Sequence, residues 1–126
     1  MGGIDMFIRN ISDIENITAE DKSVLKEVLS PLKDRIDVGY SLAYAVVGPG
    51  RETLPHRLKT LSEVFIIIEG VGIISIEHEE RPVTPGTVVH VPPGKLQYLK
   101  NTGEKDLVFY CIVDPPWKME EEVVVV

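Results

Sequence analysis

The chain has 126 residues, 44% of them apolar, and a formal net charge of −7. That length suits one domain, which removes roughly two thirds of its unfolded surface from water. The apolar share argues against disorder, and the acidic balance argues against a nucleic-acid partner, because phosphate binding needs a basic face. Residues 1–5 carry neither the basic segment nor the apolar run of a secretory signal, and Met6 stands where an N-myristoylation motif carries Ser or Thr. No apolar run is long enough to span a bilayer. The single cysteine, Cys111, cannot form an internal disulfide. A cytoplasmic protein with no membrane association is the expectation.

Residues 1–38 read as an N-terminal extension. Thr18 followed by Asp21 reads as a cap, Val24, Leu25, Val28 and Leu29 recur on one helical face, and Pro31 marks a stop. This predicts a helix over 19–30 packed on the outside of a sheet. No residue of that segment suggests chemistry. From Gly39 onward short strand patterns alternate with turns. Residues 40–47 end at Gly48-Pro49-Gly50, and 63–69 and 72–77 flank Gly70-Val71-Gly72. Residues 87–91 end at Pro92-Pro93-Gly94, 96–100 at Asn101-Thr102-Gly103, and 107–113 shortly before Pro115. Such spacing predicts one all-β sandwich or barrel over 39–117.

The run Val64-Phe65-Ile66-Ile67-Ile68 is apolar on both strand faces, so both should be buried. One face would line the barrel. A helix or a second subunit would cover the other, and a homodimer is the expectation because one helix cannot shield every such strand. The tail, 118–126, combines the acidic run Glu120-Glu121-Glu122 with four valines. The acids should be solvated. The valines either add an edge strand to a neighbouring subunit or fray.

Two glycine-framed motifs carry the chemistry. The first runs from Gly50 through His56, Leu58 and Glu63 to Gly70, and the second from Gly86 through Pro92, Gly94 and Gln97 to Asn101. They resemble the two cupin motifs position by position, and the chain is similar to small single-domain cupins of the phosphomannose-isomerase-like type. The resemblance implies a jelly-roll β-barrel with a ligand cavity, frequent homodimers and a divalent metal (Zn, Fe, Mn or Ni) in most active members, among them isomerases, dioxygenases and decarboxylases. It places the metal ligands at residues 56, 58, 63 and 97, where the family usually has two His, a Glu and a third His. His56 and Glu63 match, whereas Leu58 and Gln97 replace imidazoles.

His56 and Leu58, two apart on a strand, point to the same side of the sheet. An isobutyl group coordinates nothing, and an amide oxygen is a poor ligand for ions that favour imidazole. His56, Glu63 and Gln97 are therefore the candidate metal set. The opposing reading is a metal-free interior in which the three groups hydrogen-bond to one another, since buried polar groups need partners. Leu58, Cys111 and Tyr44 are candidate pocket residues. Cys111 shares a strand face with Leu107, Phe109 and Val113, and Tyr44 shares one with Tyr40. For Cys111 and the tyrosines, ordinary core packing is the competing reading. His78 in its acidic hairpin tip and His90 near Pro92 fall outside the ligand positions. Two functions stay open: a metal-dependent enzyme acting on a small sugar or organic acid, isomerase- or dioxygenase-like, and a non-catalytic barrel that binds a small molecule without metal. No catalytic residue is assigned.

Overall fold

Period-two alternation of apolar side chains runs through most of the chain and yields strands that bury one face. The computed structural model describes residues 6–125; the leader and lipidation readings of residues 1–5 and the last valine of the tail lie outside the described residues. In chain order the strands are β1 (Ile17–Thr18), β2 (Val24–Leu29), β3 (Ser41–Val47), β4 (His56–Leu58), β5 (Ser62–Glu69) and β6 (Gly72–Ile76). They continue with β7 (Glu79–Val83), β8 (Val88–Val91), β9 (Gln97–Asn101), β10 (Leu107–Asp114) and β11 (Glu122–Val124). One sheet has the order β1-β2-β3-β10-β5-β8 and the other β11-β4-β9-β6-β7, with antiparallel pairing throughout. This is the expected all-β barrel. Among the described residues no helix is long and apolar enough to cross a membrane.

The helix expected over 19–30 is instead a turn and a strand. Residues Val24–Leu29 pair with Ser41–Val47, placing Leu25 opposite Ala45 and Glu27 opposite Ala43. A register shift between Glu27 and Leu29 interrupts the alternation, and that irregularity gave the segment its helical look. An isolated helix this short is marginal in water, whereas the free edge of β3 offers a full ladder of hydrogen bonds. Asp21 caps a turn: its Oδ1 accepts from the Ser23 N–H at 3.0 Å and the Ser23 hydroxyl at 2.6 Å, with Lys22 at φ 74°. The N-terminal helix of the expected fold reduces to a 3-10 turn at Ile11–Asp13.

The tail is corrected too. β11 pairs with the chain's own β4, with Glu122 opposite Leu58 and Val124 opposite His56, rather than with a neighbouring subunit. Val123 and Val124 do form an edge strand, because β4 has an unpaired side within reach.

Between the sheets, Val47, Ile67, Ile74, Val83, Leu99 and Leu107 form the centre of the core. Asn101 sits among them, fully buried; its amide donates to the carbonyls of Val47 at 2.9 Å and Lys105 at 2.7 Å, and its Oδ1 accepts from Gly103 N–H at 2.8 Å. At Gly70, φ is 83° and a Cβ would lie 2.5 Å from the Asp106 carbonyl oxygen, so only glycine fits the turn between β5 and β6.

Candidate active site

Strand β4 is short but doubly held, by β11 on one side and by β9 on the other, where His56 lies opposite Gln97. Its alternation turns His56 and Leu58 inward and Arg57 outward. The His56 side chain is buried (5% exposed), and Nδ1 donates to the Leu54 carbonyl oxygen at 2.9 Å. A carbonyl can only accept, so Nδ1 carries the proton and Nε2 is left for another partner. Nε2 stands 3.7 Å from Asp21 Oδ2, beyond hydrogen-bonding distance.

Glu63 enters from β5 in the opposite sheet and is 8% exposed. Gln97 Nε2 donates to Glu63 Oε1 at 2.8 Å, joining the two sheets across the interior. Burial pushes the Glu63 carboxyl up to about 7; His56 and the Gln97 hydrogen bond pull it down, and Asp21 and Glu122 push it up. Glu122, from β11, accepts from Trp117 Nε1–H at 3.3 Å through Oε1, while Oε2 is buried without a partner. Its carboxyl is also raised, chiefly by burial, against the pull of His56 and with a further push from Asp21. One imidazole thus shares the cavity with the carboxylates of Asp21, Glu63 and Glu122.

These groups line a cavity of about 490 Å³ whose other walls include Phe65, Leu99, Phe109 and Trp117. Exposed Glu20, Lys22 and Met119 are also in the lining and mark where it reaches the surface, between the β1–β2 turn and the C-terminal segment.

His56, Glu63 and Gln97 are brought together, and Leu58 and Cys111 line the cavity. Burial raises the Cys111 thiol well above its ordinary range, with Glu63 and Asp21 adding to the effect, so it is held as a thiol and not as a nucleophilic thiolate. Tyr44 is a correction. It lies on the outer face of β3, its ring edge-to-face with Tyr110 at 5.7 Å between centroids. The inward set of β3 is Ala43, Ala45 and Val47, and the two alanines leave the volume that the cavity occupies. Tyr40 is exposed, as are His78 at the β6–β7 turn and His90 on the outer face of β8.

Asp21, Trp117 and Glu122 were missed in the sequence. Asp21 fell inside the expected helix, and Glu122 looked like one more solvated acid in a charge run. The usable signal was the valine pattern after Glu122: if the tail is a strand, one acid of the run must turn inward.

The donor set fits a divalent transition metal poorly: Leu58 fills one ligand position with hydrocarbon, Gln97 offers an amide oxygen in place of an imidazole, and one Glu63 oxygen already accepts the Gln97 N–H. Among the described residues no three His, Cys, Asp or Glu side chains converge as a metal cluster.

Comparison with known proteins extends the picture. The Cupin domain family matches residues 43–113. An uncharacterized protein of Methanocaldococcus jannaschii is 32% identical over 108 residues, 86% of this chain and 86% of that protein. A glucose-6-phosphate isomerase of Pyrococcus abyssi is 24% identical over 133 residues, 87% of this chain and 70% of the isomerase. Among solved structures, the Streptomyces protein PAC13 with uridine superposes with a TM-score of 0.77 at 14% identity, covering 97% of this chain and 92% of that one.

Proposed function

The chain belongs to the cupin domain family, and from that premise we propose that it binds a small molecule in the barrel cavity through hydrogen bonds and proton exchange, without a resident metal. The observation that carries this reading is the Gln97–Glu63 hydrogen bond, which links two of the positions where the family resemblance implies metal ligands. His56 presents Nε2 as a proton acceptor, oriented by the bond from Nδ1 to Leu54, and Glu63, with its pKa near 7, holds or releases a proton at neutral pH. Such a pair suits proton transfer on a bound substrate, the kind of chemistry an isomerisation needs. The isomerase relative's own substrate does not carry over. A sugar phosphate would bring its anion against Asp21, Glu63 and Glu122, and the like charges disfavour it. A dioxygenase reading has no support in the donor set.

Elemental analysis of natively purified protein tests the metal-free reading. The expected result is sub-stoichiometric metal that His56→Ala does not lower further. Stoichiometric metal that is lost in His56→Ala would overturn it. The double variant Leu58→His with Gln97→His should then gain a tightly held divalent ion, since it restores two imidazoles to the same interior.

The barrel is further proposed to pair with a second copy through the outer face of its six-stranded sheet. Val64, Ile66, Tyr110 and Ile112 are half-buried there, and Ile68 (42%) and Val88 (64%) are exposed. Light scattering should give a dimer mass for the wild type and a monomer mass for Ile66→Lys; a monomeric wild type at micromolar concentration would refute the pairing.

A further inference from the structure

The polar side of the cavity around His56 is rich in acceptors with no partner. Asp21 Oδ2, the second oxygen of Glu63, the Gln97 carbonyl oxygen and His56 Nε2 accept no hydrogen bond among the described residues, and Glu122 Oε2 is buried with none. Three donors nearby are committed, the Ser23 hydroxyl to Asp21, one Gln97 N–H to Glu63 and the Trp117 indole to Glu122. The second Gln97 N–H and the Thr53 and Ser41 hydroxyls donate to no side chain or backbone group among the described residues. A side chain as buried as His56 normally satisfies both ring nitrogens, so the spare Nε2 belongs to a ligand that donates.

Charge narrows the ligand further. The lining carries Glu20, Asp21 and Glu122, with Glu63 part-ionised near neutral pH, against Lys22, while Glu27 is paired with Lys33 at 2.8 Å. An anion is repelled by this set. A neutral polyol would leave the carboxylate charge of Asp21 and Glu122 without a counter-charge. A bare metal ion meets the unsuitable donor geometry described above. The same cavity is lined by Phe65, Phe109 and Trp117, aromatic surface suited to hydrocarbon and to an organic cation.

We propose that the ligand of this cavity is a small organic cation, its N–H donors meeting Asp21, His56, Glu63 and Glu122 and its hydrocarbon lying on Phe65, Phe109 and Trp117. This rests on the cavity being the binding site, as proposed above. The net charge of −7 favours encounter with such a ligand.

Trp117 is the only tryptophan and lines the cavity, so its fluorescence reports occupancy. Titration of the full chain with 1,4-diaminobutane, ethylguanidinium, 1,4-butanediol and succinate compares cations with a neutral and an anionic probe. The cations should shift Trp117 emission at millimolar concentration, while the diol and the diacid should leave it unchanged. Glu122→Gln and Asp21→Asn should each weaken cation binding about 10- to 100-fold, the loss expected when one charge-assisted hydrogen bond is removed. Glutamine at 122 still accepts from Trp117, and an unchanged melting temperature would establish that the variant is folded. Binding of succinate or butanediol at least as tight as the diamine would overturn the cation proposal and leave the cavity standing as the site. Silence of Trp117 toward both cations would overturn the proposal as well. Silence toward all four probes, together with stoichiometric metal lost in His56→Ala, would overturn the cation and the metal-free site together.

Discussion

Strands β5, β9 and β10 each run from a filled end of the barrel to a hollow one. At the filled end they contribute Ile67, Asn101 and Leu107; at the hollow end, Glu63, Gln97 and Cys111. Both ends bury polar side chains, but on different terms. Asn101 uses its amide N–H groups and its carbonyl oxygen on three backbone partners, so it fastens the loop after β9 and has nothing left to offer. Around the cavity, Glu63, Gln97, His56 and Glu122 each spend one group on the protein and keep another free. A saturated buried polar group is structural, whereas one with spare capacity is available to a ligand.

Breaking the filled end should have the largest effect. Asn101→Ala removes three hydrogen bonds, the buried one to the Val47 carbonyl and part-buried ones to Lys105 and Gly103. It should cost about 3 kcal/mol in urea unfolding, against about 1 kcal/mol for Gln97→Ala, which removes one hydrogen bond beside an existing cavity. Equal losses would erase the distinction between saturated and spare polar groups. Leu107→Ala should cost about 3 kcal/mol through the void it opens in close packing. Leu58→Ala should cost less than half of that, because its side chain already faces open volume and loses fewer contacts.

The smallest effect is the pH dependence of the hollow end. The Glu63 carboxyl releases its proton near 7 when folded and near 4.5 when unfolded. Between those values the native state binds more protons, so stability falls as pH rises, by at most about 3 kcal/mol, and is fully present below 4.5. Glu122, also raised, adds to the same trend. Melting temperature should therefore drop between pH 5 and pH 7 in the wild type and drop much less in Glu63→Gln. A wild-type melting temperature that rises across that interval would show that Glu63 ionises on folding.

Much of the barrel was legible in the sequence. The turns at Gly48-Pro49-Gly50, Gly70-Val71-Gly72 and Pro92-Pro93-Gly94 bracket strands β3, β5, β6 and β8 within a residue or two, because positive φ and missing donors are local constraints. Segment 19–30 misled because its bulge mimics helical spacing, and its partner strand lies across a turn that no local pattern announces. The tail misled for a related reason: four valines specify an extended chain without specifying whose edge they join.

By itself, the sequence determined the container and the identity of the facing groups His56, Leu58, Glu63 and Gln97. Alternation and turn chemistry act over a few residues and survive in any context. Only the tertiary structure decided that Gln97 donates to Glu63, that Tyr44 turns away from the cavity, and that Asp21 and Glu122, a hundred residues apart in sequence, line the same cavity as His56. Those outcomes depend on register and on long-range strand pairing. Their energies come from burial and from charges brought together across the barrel, which no local stretch of sequence contains.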